Sequence, residues 1–158
     1  MTKFEEVRKA LEKTTYPLKF NPQSWSNYNS NCYSYVLGAK VNFYFLVGDL
    51  IGKRVTDHTP ENEKLSILKE ELQALGFSFF EIDVDDEIPE DYYKIYFQIF
   101  DSTGKYHLLR QDSDGLWSHR GAYGLPDRTD TAGLEITDPE CILDCPFHGY
   151  CLALKFIM

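Results

Sequence analysis

The order of the predicted elements indicates one α+β domain, in which N-terminal helices pack on an antiparallel β-meander. Apolar residues recur at helical spacing in the first half of the chain. Runs of aromatic and β-branched residues, separated by turn residues, dominate the second half. Helices grouped before strands are typical of α+β rather than βαβ proteins. Because 158 residues is the size of one domain, we assign residues 1–158 to a single domain.

Capping signals define the first two helices. The first helix is predicted over residues 3–13, where Thr2 and Glu5 form a capping box. A loop rich in Asn, Ser and Pro follows. The second helix begins at residue 31 or 32, continues to residue 37 and is ended by Gly38.

The third helix and the strands follow from similar signals. The helix covers residues 60–75, with Thr59 at its N-cap position. Five later segments have strand composition: 77–84, 92–100, 106–112, 116–120 and 149–157. The third and fourth of these flank Ser113-Asp114-Gly115, so we expect them to form a hairpin.

Composition excludes several classes of function. A net charge of −9 repels phosphate backbones, so nucleic acid is not an expected partner. No apolar run approaches the roughly 18 residues of a membrane span, and the N-terminus lacks the apolar core of a signal peptide. We therefore expect a cytoplasmic protein with reduced thiols, unless a non-classical route exports it. Nucleotide and serine-hydrolase motifs are absent, and the oligomeric state stays open.

Cys32, His107 and His119 form the strongest candidate for chemistry. A nucleophilic Cys needs a lowered pKa, which a helix N-terminus and a nearby imidazole supply. Cys32 begins the second predicted helix, where exposed amides favour a thiolate and can bind an oxyanion. The two His residues lie 12 positions apart on the predicted hairpin.

The hairpin register decides whether the two imidazoles meet. A three-residue loop with Gly115 in the left-handed conformation places Leu109 opposite His119. His107 and His119 then share a face as diagonal neighbours. A loop of two or four residues would place them on opposite faces. In the three-residue register, His107 can serve as the base while His119 holds its tautomer.

This order of residues resembles the papain-like cysteine peptidase superfamily. The chain shares with that superfamily a Cys at the start of a helix, a His at the start of a later strand and a polar third member. The Cys–His–His version looks most like the NlpC-type cell-wall peptidases. The resemblance covers residues 21–120. The run 106–112, with 117–120, resembles a divergent bacterial branch. The chain has Asn-Cys-Tyr-Ser at residues 31–34 where those peptidases have Asp-Cys-Ser-Gly, and no Gly follows His107.

The resemblance implies hydrolysis or transfer at an amide or thioester carbonyl of a peptide-like substrate, with no cofactor. Cys32 would attack, His107 would move the proton and His119 would orient His107. An upstream polar side chain would complete the oxyanion site, and the candidates are Gln23, Asn27 and Tyr28. Two residues are expected to line the substrate cleft: Trp25 and Trp117. Deamidase, transglutaminase or acyltransferase activity would use the same triad.

Two alternatives stay open. The first is a catalytically inactive effector or immunity-type module that binds a partner through an aromatic cleft formed by Trp25, Tyr28, Trp117 and Tyr123. Such a module has no need of a low-pKa Cys32. The second is a zinc site built from Cys141, Cys145, His148 and Cys151. A final strand would fix Cys151 on one face, and structural zinc sites generally draw ligand pairs from separate loops, so we favour free thiols and expect no metal.

Overall fold

A five-stranded antiparallel sheet forms the centre of the fold, and its strand order differs from the predicted meander. The computed structural model describes residues 1–121, 124–141 and 146–157. The strands are β1 Phe77–Ile82, β2 Tyr93–Phe100, β3 Tyr106–Gln111, β4 Trp117–Ser118 and β5 Phe147–Phe156. Their order in the sheet is β1-β5-β2-β3-β4.

The insertion of β5 between β1 and β2 makes the prediction of a simple meander wrong. β2 is buried from Tyr93 to Ile99 and therefore needs partners along both edges. β3 pairs along one edge and β5 along the other, from Tyr93↔Leu154 to Phe100↔Phe147. Only β2, β3 and β4 follow one another in sequence order.

The three helices begin and end close to the predicted positions. They are α1 Lys3–Glu12, α2 Cys32–Leu37 and α3 Glu61–Leu75. The predicted cap of α1 is present, because the Thr2 side chain accepts a 3.1 Å hydrogen bond from the Glu5 backbone N–H. Pro60, not Thr59, is the N-cap of α3. The Thr59 hydroxyl instead accepts a 2.9 Å hydrogen bond from the Thr56 backbone N–H within the preceding turn.

The helices cover one face of the sheet, and a smaller cluster covers the other. On the helix side, Leu108 of β3 belongs to the large core, and the Arg110 guanidinium lies 3.9 Å from the ring of Tyr35 in α2. On the opposite side, Leu109 packs in a second cluster with Trp117 and other buried apolar residues. Side chains along β3 therefore alternate between the two faces, as strand geometry requires.

The β3–β4 hairpin has the predicted register. Gly115 adopts the left-handed conformation at φ +89°, and the Asp112 N–H donates to the Leu116 carbonyl at 2.8 Å. Arg110 pairs with Ser118, so the same register sets Leu109 opposite residue 119. Within the described part of the chain, no helix is long and apolar enough to cross a membrane.

Candidate active site

Two imidazoles meet on the face of the sheet opposite α2. His107 Nε2 lies 2.8 Å from His119 Nδ1, and the two rings are nearly perpendicular. His119 follows β4 directly, and its backbone N–H and carbonyl exchange two 3.0 Å hydrogen bonds with Asp127. The loop after the hairpin is therefore fastened at the position where the second imidazole lies.

The hydrogen bonds beyond His119 determine the tautomer of both rings. His119 Nε2 lies 2.8 Å from the Thr129 carbonyl oxygen and 3.1 Å from Asp127 Oδ1. A carbonyl only accepts, so His119 Nε2 carries the proton, and a neutral His119 presents Nδ1 as an acceptor. His107 Nε2–H consequently donates to His119, which leaves the Nδ1 lone pair of His107 available as a base.

Burial keeps His107 neutral near pH 7. Desolvation, together with the neighbouring His119, lowers the pKa of His107 from 6.5 to about 4. A neutral imidazole is the form that can accept a proton. The ring is therefore in the protonation state that a general base requires.

Cys32 begins α2, as the sequence predicts, but its thiol is not the expected thiolate. Desolvation by burial raises the pKa of Cys32 to about 11 and outweighs the backbone N–H groups of Leu108, Tyr33 and Cys32 itself, which stabilise the charged form. The expectation from helix position was wrong in sign because it considered the amides and not the desolvation. The resting thiol is neutral at pH 7.

The thiol approaches β3 beside His107 without bonding to it. The Leu108 N–H that stabilises the Cys32 thiolate belongs to the residue directly after His107. Leu108 faces α2, whereas His107 lies on the other face with Leu109. Among the described residues, which include all three members of the predicted triad, no hydrogen bond joins the Cys32 thiol to either imidazole.

The structure separates the other predicted site residues. Gln23 and Asn27 are exposed. Tyr28 and Trp25 line a groove that includes Gly38, at the C-terminal end of α2, whereas Cys32 is at its N-terminal end. Among the described residues, the hydrogen bonds to the Cys32 sulfur come from backbone groups, and none of the three oxyanion candidates contributes to them.

The two Trp residues predicted to line a substrate cleft are both largely buried and lie in different core clusters. Trp117 is 1% exposed in the second core cluster, and Trp25 is 3% exposed with its ring 5.0 Å from that of Tyr35. Large aromatic rings supply core volume in a domain of this size, which is why both are buried. Tyr123, the remaining member of the predicted aromatic cleft, lies outside the described residues.

The predicted zinc ligands Cys141, His148 and Cys151 do not come together in the described part of the chain. Cys145 lies outside the described residues. Cys151 is buried in β5, while the His148 imidazole pairs with the Asp101 carboxylate. The Cys141 thiol lies 3.5 Å from an Asp138 carboxylate oxygen. Within the described residues, no group of three or more His, Cys, Asp or Glu side chains could hold a metal ion.

Sequence reasoning missed the residues that hold His119. Asp127 accepts a 3.1 Å hydrogen bond from the Thr129 N–H through its side chain, which forms a local turn and directs the Thr129 carbonyl. The Asp-x-Thr pattern predicts such a turn but not its position beside an imidazole. The approach of the two segments depends on the His119↔Asp127 bridge, which has no sequence signal.

Comparisons with known proteins give one distant relative. The chain is 24% identical over 137 residues to "Insoluble matrix shell protein 1" of Ruditapes philippinarum, a match that covers 84% of this chain and 85% of that protein. No protein-family model matches the chain. No solved structure matches it either.

Proposed function

We propose that this protein is a small cysteine hydrolase, a peptidase or amidase, in which Cys32 attacks a peptide-like amide and His107 transfers the proton. The observation that carries the proposal is the hydrogen-bonded chain from Thr129 through His119 to His107. It leaves His107 Nδ1 available as a base, since no hydrogen bond occupies this atom among the described residues. A papain-like fold of the NlpC type, as the sequence suggests, is part of the same proposal.

The proposed reaction proceeds in two stages. The Cys32 thiol gives its proton to His107 Nδ1 as sulfur attacks the carbonyl carbon, and the Cys32 backbone N–H binds the oxyanion. The tetrahedral intermediate releases an amine, which takes the proton from His107. Water then attacks the thioester with His107 as base, releases the acid and restores the thiol. With an amine in place of water the same steps give acyl transfer, and a side-chain amide as substrate gives deamidation.

The resting protonation states fit this sequence of proton transfers. A neutral Cys32 and a neutral His107 avoid a buried ion pair in the free protein, and charge develops only during attack. The imidazolium would then be stabilised by His119 and, beyond it, by the Asp127 carboxylate. Catalytic hydrogen bonds are often long without substrate and shorten in the complex. We accordingly propose that His107 Nδ1 reaches the thiol when substrate binds.

A non-catalytic binding module is the second candidate function. Its support is the raised pKa of Cys32, which makes the thiol a poor nucleophile unless His107 acts on it. The relative from Ruditapes philippinarum, whose name describes a matrix protein, is a further reason to keep this candidate. Together with the hydrolase we propose a cytoplasmic location, because the cytoplasm keeps a catalytic thiol reduced.

The rate of iodoacetamide alkylation at Cys32 separates the two candidates. Mass spectrometry locates the label, and His107→Gln is the test variant, because the Gln amide retains an N–H donor towards His119. If His107 acts as a base, the variant should alkylate at least about 100-fold more slowly at pH 7, which is the low end of general-base contributions. The exposed His58→Gln variant serves as the matched control and should react like wild type.

A thiol that serves only in packing gives a different profile. Its alkylation rate would rise with hydroxide up to a pKa near 11 and would be the same in wild type and His107→Gln. That result would exclude the hydrolase and leave the binding module. If alkylation instead depends on His107, intact-mass detection of an acyl adduct on Cys32, lost in Cys32→Ser, will establish which carbonyl substrates react.

A further inference from the structure

A groove at the C-terminal end of α2 has a charge opposite to that of the whole protein. The groove has a volume of about 810 Å³ and lies between α1, the loop that follows it and the turn after α2. Five cationic side chains and a single carboxylate line it: Lys9, Lys13, Lys19, Lys40, Arg110 and Glu6. The chain as a whole has a net charge of −9. We call this feature the lysine groove.

The Lys ammonium groups of the lysine groove have no counter-charge among the described residues, and that of Lys40 lies 5.5 Å from the centroid of the Trp25 ring. The four Lys side chains are exposed, and none of them has an ion-pair partner among the described residues. By contrast, Lys53, Lys69 and Lys155 each have a carboxylate oxygen within 3.2 Å. Charges of one sign without counter-charges produce a positive potential, which attracts anions. The pKa of Lys40 is lowered mainly by burial, and the positive charge of the neighbouring Arg110 lowers it further.

The donor chemistry of the groove favours separated carboxylates over a compact phosphate. Arg110 has the planar fork that phosphate prefers, but its donors are occupied by Asp112 and by the Tyr35 and Lys19 carbonyls. The free donors are therefore point charges on flexible Lys side chains. They are distributed over three segments of the chain rather than gathered around one centre.

The spacing of two of these charges matches that of an extended peptide. Lys9 in α1 and Lys13 at its C-cap are four residues apart, about 6 Å along the helix axis. Side chains two residues apart in an extended chain lie on the same side, separated by about 7 Å. An acidic peptide with a carboxylate at every second position can therefore pair with both Lys residues at once.

We propose that the lysine groove binds an acidic peptide segment in an extended conformation, with alternate carboxylates on Lys9 and Lys13. The proposal is independent of Cys32 and His107, because the groove lies at the opposite end of α2. It adds a ligand class, a linear polycarboxylate, that the candidate active site does not require.

Fluorescence anisotropy with a labelled peptide of alternating Glu and Ser tests the proposal on the full chain. The double variant Lys9→Gln/Lys13→Gln should weaken binding at least about tenfold, and rising salt should weaken binding to wild type. The control is Lys53→Gln/Lys69→Gln, which removes the same charge from Lys residues that already have partners. It should change affinity less than about twofold. Thermal unfolding confirms that both variants remain folded.

Three results would overturn the proposal. The groove variant and the control variant could bind the peptide equally. A peptide of alternating Gln and Ser could bind as well as the acidic peptide. Polyphosphate could bind with loss in the groove variant while the acidic peptide does not bind, which would make the groove a phosphate site.

The source of the acidic segment is resolved by sedimentation of the protein alone. The chain has its own acidic stretch at residues 83–91. Self-association that Lys9→Gln/Lys13→Gln abolishes would identify the segment as part of a second copy. A protein that stays monomeric and still binds the peptide takes the segment from another protein. Both results are consistent with the proposal, because in each case the peptide binds through Lys9 and Lys13.

Discussion

Protonation of His107 should make the stability of the protein fall steeply in mild acid. The pKa of His107 is about 4 in the folded protein and 6.5 for the ordinary side chain. A group whose folded pKa is lowered takes up its proton first in the unfolded state. The contribution of His107 to the free energy of unfolding is therefore present above pH 6.5, is lost as the pH falls from there through about 4, and levels off below that.

The magnitude follows from these two pKa values. Between pH 7.5 and pH 5 the linkage relation gives a loss of about 2 kcal/mol, and by pH 4 the loss reaches about 3 kcal/mol. Domains of this size have total stabilities of about 5–15 kcal/mol. The contribution of this one imidazole is consequently large enough to measure.

Urea denaturation of wild type and His107→Gln at a series of pH values isolates this contribution. Gln retains a donor to His119 but cannot be protonated in this range. Other groups titrate in both proteins, including Glu71, whose pKa is raised by burial and whose effect has the opposite sign. The difference between the two pH profiles removes these shared contributions.

Parallel profiles would refute the reasoning. If wild type and His107→Gln lose the same free energy of unfolding between pH 7.5 and pH 5, then His107 is not held neutral by burial. The proposal that a neutral His107 serves as the base would then lose the support of its lowered pKa. The exposed His58→Gln variant should follow wild type throughout.

Three further substitutions test other parts of the structure. Asp127→Asn should lower the Cys32 alkylation rate by less than about fivefold, because the Asp127 carboxylate is 58% exposed and the Thr129 carbonyl still accepts a hydrogen bond from His119. A fall as large as that of His107→Gln would contradict this expectation. Gly149→Ala should destabilise the fold by about 1–3 kcal/mol in urea, since an added Cβ would overlap the Tyr96 ring, and an unchanged midpoint would contradict it. Asp112→Ala should lower the free energy of unfolding by about 3–5 kcal/mol in the same assay, because it leaves the buried guanidinium of Arg110 without its carboxylate. A loss below about 1 kcal/mol would instead show that the guanidinium is solvated.

The sequence determined the features that depend on near neighbours in the chain. The Thr2 cap, the end of α2 at Gly38 and the left-handed Gly115 each arise within about five residues, so local chemistry specifies them. The hairpin register follows from the Gly115 turn. The pairing of His107 with His119, 12 residues apart, was therefore predictable from turn geometry alone.

Only the tertiary structure decided the features that depend on distant segments. The buried strand β2 needs a partner along its second edge, and residues 93–100 do not indicate which strand that is. In the structure it is β5, which lies between β1 and β2. Asp127 meets His119 through a loop whose path no local pattern specifies. The pKa of Cys32 rises because core packing removes water from the thiol, and this desolvation outweighs the amides of its own helix. Local signals fix conformation and register, whereas burial, and with it the reactivity of a side chain, is a property of the assembled fold.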